Sequence, residues 1–340
     1  MQLELGGNSQ PAPPDPLPPR RELEAWRALI PDHIHFGTST WTYPGWYGQV
    51  YQERYPERGG AGRMLAEYAR FPLFTTVGID SSFYGPPSPK TLAAWARVLP
   101  RGFRAVSKVW DRITVHTFAG KREGPALAGR PNPDFLNPGL FLSEVLDPFR
   151  THFGEHTGPF VFEFQTIAGT DADPGRFAEG LDAFFGLLPR TAQYAVEIRN
   201  PEFLTSSYLA VLRAHNVAHV FNSWSWMPPI GTQLDLEGTV TADFIVSRAL
   251  LRPGRMYPEA VEAFKPYDRV REVNPGLRSD LVRLAETAVA LRIPAYLIVN
   301  NRAEGNAPHT IAAIARQLAE SLPPLGQDCQ GPLPPERRTS

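Results

Sequence analysis

Eight short apolar runs recur along the chain, each ending in polar residues: 33–39 (HIHFGTS), 74–81 (FTTVGIDS), 103–109 (FRAVSKV), 159–165 (PFVFEFQ), 193–200 (QYAVEIRN), 217–223 (VAHVFNS), 242–248 (ADFIVSR) and 295–301 (AYLIVNN). Runs of this length, rich in Val, Ile and Phe, predict buried parallel strands. Apolar spacing predicts helices between most of them, at 63–71, 89–99, 174–188, 206–214, 279–291 and 310–322. Ser88 reads as a cap, and Pro174 suits a first helical turn. Eight strands alternating with helices predict a single (β/α)8 TIM-type barrel in the α/β class, with an open doubly wound sheet as the structural alternative. Two connections depart from the ideal. Residues 119–138 are rich in Gly, Pro and Arg, and 224–241 carry no convincing helix pattern.

Proline sharpens the domain picture. Of the 36 prolines in the 340-residue chain, six fall within 11–19 and five within 323–335. Such stretches bury little apolar surface against their ordering entropy. The expectation is a disordered tail over 1–31, one barrel domain over 32–322 and a second disordered tail over 323–340. Hydrophobic residues make up 42% of the chain, enough for a large core. A net charge of −1 gives no global basic field toward nucleic acid or an anionic membrane. The single cysteine, Cys329, rules out a disulfide framework or a cysteine zinc site within the chain. No run is long enough to span a membrane, and the first residues lack a basic and an apolar signal region. The expected location is the cytoplasm, with no membrane partner.

A barrel carries its chemistry at the C-terminal strand ends. Those ends are Ser39 with Thr40, Asp80 with Ser81, Lys108, Glu163 with Gln165, Glu197 with Arg199, Asn222, Arg248, and Asn300 with Asn301. Glu163 and Gln165 are two apart and share a face, as do Glu197 and Arg199. Charge inside an apolar strand is costly unless it is paired or lines a wet pocket. Two readings therefore stand: a ligand pocket, or a neutral ion-pair layer that plugs the barrel. Gly37 and Gly78 leave room near that level or serve close packing. The loops add Trp41, Tyr43 and Trp46, then Phe83 and Tyr84, then Trp224 and Trp226, which stack on a ligand or close the mouth. The segments 248–255 (RALLRPGR) and 300–306 (NNRAEGN) follow strands seven and eight, where barrels often bind phosphate. No phosphate loop ending in Lys-Ser/Thr is present, and the eight histidines lack metal-ligand spacing. A metal held by Asp80, Glu163 and Glu197 is opposed by three nearby cations. No metal site is expected, and the sequence names no cofactor.

The strings GTSTWTYPGWYG, IDSSFYGPPSPKTLAAWA, AVSK, VEIRNPEF and VNNRAEGNAP occur in this order between residues 33 and 322. Together they resemble the YecE-like family, domain of unknown function 72. The resemblance implies a TIM-barrel-like fold without an established activity, akin by analogy to barrels that act on nucleic acid. The matching positions are Gly37, Ser39, Trp41, Tyr43, Pro44, Trp46, Ser82, Phe83, Tyr84, Lys108, Gln165, Glu197, Arg199, Arg248, Asn300, Asn301 and Pro308. Against the family pattern, Gly78 stands for an acidic residue and Asp80 for an asparagine. Asn200 and Asn306 stand where histidine is common, and Asn222 where aspartate is common. These departures remove two histidines and two carboxylates suited to proton transfer.

The leading expectation is a pocket for a polar, anionic ligand: a phosphorylated sugar, a nucleotide or a nucleic-acid segment. Its candidate ligand-binding residues are Ser39, Trp41, Tyr43, Trp46, Asp80, Tyr84, Glu163, Gln165, Arg199, Asn222, Arg248, Asn300 and Asn301. If the protein is an enzyme, hydrolysis is expected, with Glu197 as general base and Lys108 beside it, since a carboxylate next to a cation stays ionised. The alternatives are a glycosidase-like enzyme using Glu163 and Glu197, and a non-catalytic binding or interaction protein.

Overall fold

The structure, a computed structural model, describes residues 16–56, 59–120 and 124–323. Eight strands run in parallel: β1 (Ile34–Thr38), β2 (Thr76–Ile79), β3 (Arg104–Lys108), β4 (Thr157–Glu163), β5 (Tyr194–Glu197), β6 (Val217–Asn222), β7 (Ile245–Ala249) and β8 (Ala295–Val299). They lie in the order β1-β8-β7-β6-β5-β4-β3-β2. Helices α1 (Arg20–Leu29), α2 (Ala61–Tyr68), α3 (Pro89–Ala96), α4 (Asp111–Thr114), α5 (Pro138–Phe141), α6 (Asp147–His152), α7 (Pro174–Gly186), α8 (Ser206–Ala214), α9 (Ile230–Leu234), α10 (Tyr257–Phe264), α11 (Pro275–Leu291) and α12 (Ala307–Ser321) complete the chain. The architecture is a single (β/α)8 barrel, as the alternation predicts.

Closure comes at the seam between β1 and β2. There the ladder reduces to one parallel bridge, Phe36 to Phe74, with the Thr75 N–H donating to the Phe36 carbonyl at 3.0 Å. Tyr68 of α2 completes it. Its buried hydroxyl accepts the Thr38 N–H at 2.8 Å and donates to the Thr76 carbonyl at 3.2 Å, so neither backbone group is left orphaned. The two backbones approach closely enough to require glycine. A Cβ at Gly37 would stand 2.2 Å from the Thr76 carbonyl oxygen, and one at Gly78 would stand 2.9 Å from Ser39 Cα.

Helix starts follow local chemistry. Ser88, Asp173 and Asn274 each cap a helix whose first residue is proline, and each accepts a backbone N–H from the first turn. The Asn274 cap starts α11 four residues before the expected 279. A short helix, α9, fills the connection where no helix was expected. The unstructured reading of 1–31 requires correction, because α1 occupies Arg20–Leu29. Leu23, Trp26 and Ile30 fall at helical spacing and pack this segment onto the core. The expected C-terminal tail lies almost wholly outside the described residues, as do the first fifteen positions.

Candidate functional site

Val106, Val161, Ala195, Val220, Val246 and Ile298 form one apolar cluster inside the barrel. Two residues further along the same strands, and so on the same face, come Lys108, Glu163, Glu197, Asn222, Arg248 and Asn300. In β1 and β2 the apolar level is taken by Gly37 and Gly78, and Ser39 and Asp80 follow. Strand alternation thus delivers one polar side chain per strand to the C-terminal end of the barrel.

Six charges and one amide lock together there. One oxygen of Glu163 receives Lys108 Nζ at 2.6 Å, Arg199 Nη2 at 2.9 Å and Arg248 Nη1 at 2.9 Å. Its other oxygen accepts the Gln165 amide at 2.5 Å. Glu197 meets Arg199 Nη2 at 2.6 Å through one oxygen and Arg248 through the other. Arg248 also donates to Asp80 Oδ2 at 2.7 Å, and Lys108 lies 3.7 Å from that atom. Three cations face three carboxylates, so the layer is formally neutral. Burial by itself would raise the Glu163 carboxyl; Arg199, Lys108 and Arg248 outweigh it and hold the group well below the usual carboxylate range. Burial likewise disfavours the Arg248 charge, but Asp80, Glu197 and Glu163 secure it.

Above this layer opens a cavity of about 490 Å³. Of the expected ligand residues, Ser39, Tyr43, Trp46, Asp80, Tyr84, Glu163, Gln165, Arg199, Arg248, Asn300 and Asn301 line it, together with Lys108. Two others, Asn222 and Trp41, do not, and neither does Glu197, the expected general base. Glu197 is 0% exposed and lies beneath its two arginines. The Asn222 amide donates to the Ile198 carbonyl at 3.2 Å and accepts the Trp224 N–H at 3.1 Å, joining strand ends. Trp41 turns into the core, where its indole N–H donates to the Ala61 carbonyl at 2.8 Å and its ring meets Trp95 edge-on. The ion-pair layer and the pocket, two alternatives in the sequence, coexist: the first is the floor of the second.

The wall formed by the ends of β8 and β1 differs in kind from that floor. Asn300 and Asn301 use their amide oxygens to accept the Arg302 and Ala307 N–H groups, at 3.0 and 2.9 Å. Their amide nitrogens have no partner among the described residues. Ser39 Oγ and Trp46 Nε1 are buried without a hydrogen-bond partner, as are Nε and Nη1 of Arg199. Arg302 stacks 4.4 Å over the Tyr257 ring and hydrogen-bonds Tyr267. Among the described residues it has no carboxylate partner. Arg199 lies 3.7 Å over Trp224, and Lys108 lies 4.9 Å from the Phe83 centroid, so three aromatic rings around the cavity each carry a cation.

Sequence reasoning missed Arg302 and Glu304. Glu304 is fully buried. It accepts the Asn274 N–H at 2.6 Å, the Arg278 guanidinium at 2.8 to 3.1 Å and the Thr310 hydroxyl at 2.8 Å. Its backbone carbonyl takes the Arg271 and Glu272 N–H groups. It therefore bolts the long connection after β7, which carries Tyr257 and Tyr267 over the cavity, to the end of β8. Asn306 caps α12 and donates to Gln49 and to the Tyr267 carbonyl, at 2.8 and 2.9 Å. Asn200 both accepts from and donates to the Ile167 backbone, at 2.8 and 2.9 Å. Both asparagines serve as loop latches.

Among the described residues, no group of three or more His, Cys, Asp or Glu side chains is arranged to hold a metal ion, and no helix is long and apolar enough to cross a membrane. Two solved structures share the fold. One is a DUF72 family protein of Enterococcus faecalis V583, with 17% identity over 84% of this chain and 95% of that one, at a TM-score of 0.57. The other is a DUF72 family protein of Thermotoga maritima MSB8, with 17% identity over 84% of this chain and 99% of that one, at a TM-score of 0.56. No curated protein matches the chain. Residues 35–336 match the family described as protein of unknown function DUF72, and the chain belongs to that family.

Proposed function

We propose that this barrel binds a small anionic, phosphate-bearing ligand at its C-terminal mouth. The observation that carries the reading is the contrast between floor and wall. The floor's charges neutralise one another, whereas the β8–β1 wall holds Arg302 without a carboxylate among the described residues, beside the unpartnered amide nitrogens of Asn300 and Asn301. A buried donor without a partner costs on the order of 1–3 kcal/mol, and an acceptor delivered by a ligand restores that loss. A cavity of about 490 Å³ lies within the ordinary range for small-molecule sites.

Binding is supported further than turnover. Glu197 has no exposed surface and lies in ion-pair contact with Arg199 and Arg248, so a substrate would have to displace two arginines to reach it. The glycosidase-like alternative needs Glu163 and Glu197 on either side of open space. They sit instead in register on neighbouring strands, sharing Arg199 and Arg248. Thermal melting of the full chain with phosphate-bearing compounds and their neutral parents, with and without divalent cations, tests the proposal. A ligand at a hundredfold its dissociation constant adds about 2.7 kcal/mol of stability. The phosphorylated members should raise the melting temperature and their neutral parents should not. Equal shifts for charged and neutral members would overturn the reading.

A further inference from the structure

The cavity is polar in two different senses at its two ends. The end built by β8 and β1 is cationic and carries open donors: Arg302 and the amide nitrogens of Asn300 and Asn301. On the eight-strand ring, β4 lies four strands from β8 and therefore opposite it. The side built by β2, β3 and β4 presents Asp80, Lys108 and Gln165. Asp80 is the most accessible carboxylate of the layer, with 26% of its side chain exposed. Its Oδ2 faces Arg248 and Lys108, while no described side chain donates to Oδ1. An open carboxylate oxygen repels a phosphate and accepts hydrogen bonds from hydroxyl groups. Lys108 and Gln165 beside it supply donors for the same hydroxyls. Three of the aromatic rings at the cavity are partly covered, whereas Tyr84 is exposed. The rings of Phe83, Trp224 and Tyr257 each already carry a cation on one face.

From this polarity we propose that the ligand is a phosphorylated polyol of sugar size. Its phosphate lies at Arg302, between the ends of β8 and β1, and its hydroxyls reach the Asp80–Lys108–Gln165 side. This rests on the anionic-ligand reading and adds to it an orientation and a substrate class. Isothermal titration calorimetry on the full chain tests it with four probes: inorganic phosphate, a panel of pentose and hexose phosphates, the parent sugars, and adenosine monophosphate. At least one sugar phosphate should bind tenfold or more tightly than inorganic phosphate, its parent sugar or adenosine monophosphate. Arg302→Gln should weaken sugar phosphate and inorganic phosphate alike, about tenfold. Asp80→Asn and, as a variant that leaves all six charges of the layer in place, Gln165→Ala should weaken the sugar phosphate several-fold and leave inorganic phosphate unchanged. Tighter binding of adenosine monophosphate, or equal losses for both anions in Gln165→Ala, would overturn the polyol assignment while leaving an anion site. Absence of binding by every anion in the set would overturn the anionic reading itself.

Discussion

The floor and the β8–β1 wall of one cavity use similar side chains to opposite ends. On the floor, Lys108, Arg199 and Arg248 meet Asp80, Glu163 and Glu197, and every formal charge has an opposite within 4 Å. On the wall, Arg302 and the amide nitrogens of Asn300 and Asn301 line the cavity without an anion. Density of charge is therefore a poor guide to binding. Paired charges rigidify the barrel end, and the unpaired minority is left for a ligand. The comparison also separates two meanings of a buried carboxylate. Glu197 neutralises cations inside the barrel, whereas Glu304 fastens a loop above it.

The largest expected effect comes from breaking the floor. Glu197→Gln keeps the shape but leaves Arg199 and Arg248 short of an anion, and loss of one partner in a buried pair typically costs about 3–5 kcal/mol. Chemical denaturation of the variant checks this, and an unchanged midpoint would mean that the layer relaxes through water. Acid provides the next contrast. The Glu163 carboxyl is held well below the usual range, so the stability it contributes is fully present above the ordinary carboxylate value, declines as pH falls below that value, and is gone once pH passes the depressed folded value. His219, outside the ring on β6, acts in the same direction over a higher pH window. Burial lowers its pKa to about 4, with the hydrogen bond to Gln233 a smaller opposing effect. Tyr208 and Gln233 hold the ring at 3.1 Å on its two nitrogens. The unfolded chain takes up this proton near pH 6.5 and the folded chain near 4, so stability falls as pH drops through that window. The loss is on the order of 3 kcal/mol for this residue. His219→Gln should flatten the slope between pH 6.5 and 4, and a slope that survives would assign the acid response to other groups.

A smaller effect is expected at the bolt. Glu304→Gln keeps the shape but leaves one acceptor oxygen where Asn274 and Thr310 use two, and it weakens the charge-assisted pair with Arg278, a loss of roughly 2 kcal/mol. Hydrogen exchange should then rise over 265–278 ahead of the barrel strands. Uniform exchange across the molecule would contradict a local role for Glu304. Least costly to stability is Arg302→Gln. Its guanidinium rests on Tyr257 without a carboxylate, so folding should change by no more than about 0.5 kcal/mol.

Much of the fold was legible because strand chemistry is local. All eight apolar runs became strands, and their polar ends became the barrel's upper layer, since alternation fixes which face a side chain takes. Alternation does not fix depth or partners. Glu197 and Gln165 both end strands, yet the first lies under two arginines and the second faces solvent. Trp41 shares a loop with Tyr43 and Trp46 but turns inward, because Ala61 and Trp95, distant in sequence, receive it. Glu304 reads as one polar residue in a loop. Only Arg278 and Thr310, brought to it by folding, make it a buried bolt. The α1 segment escaped notice because the neighbouring prolines hid the Leu23, Trp26 and Ile30 spacing.

Thermal melting of Arg302→Gln beside the parent, with and without inorganic phosphate, tests the division between floor and wall most directly. Coincident melting curves are expected without phosphate, with a rise in the parent when phosphate is added and loss of that rise in the variant. A variant that melts several degrees lower without phosphate, yet still gains the full shift when phosphate is added, would place Arg302 with the structural charges and contradict the account.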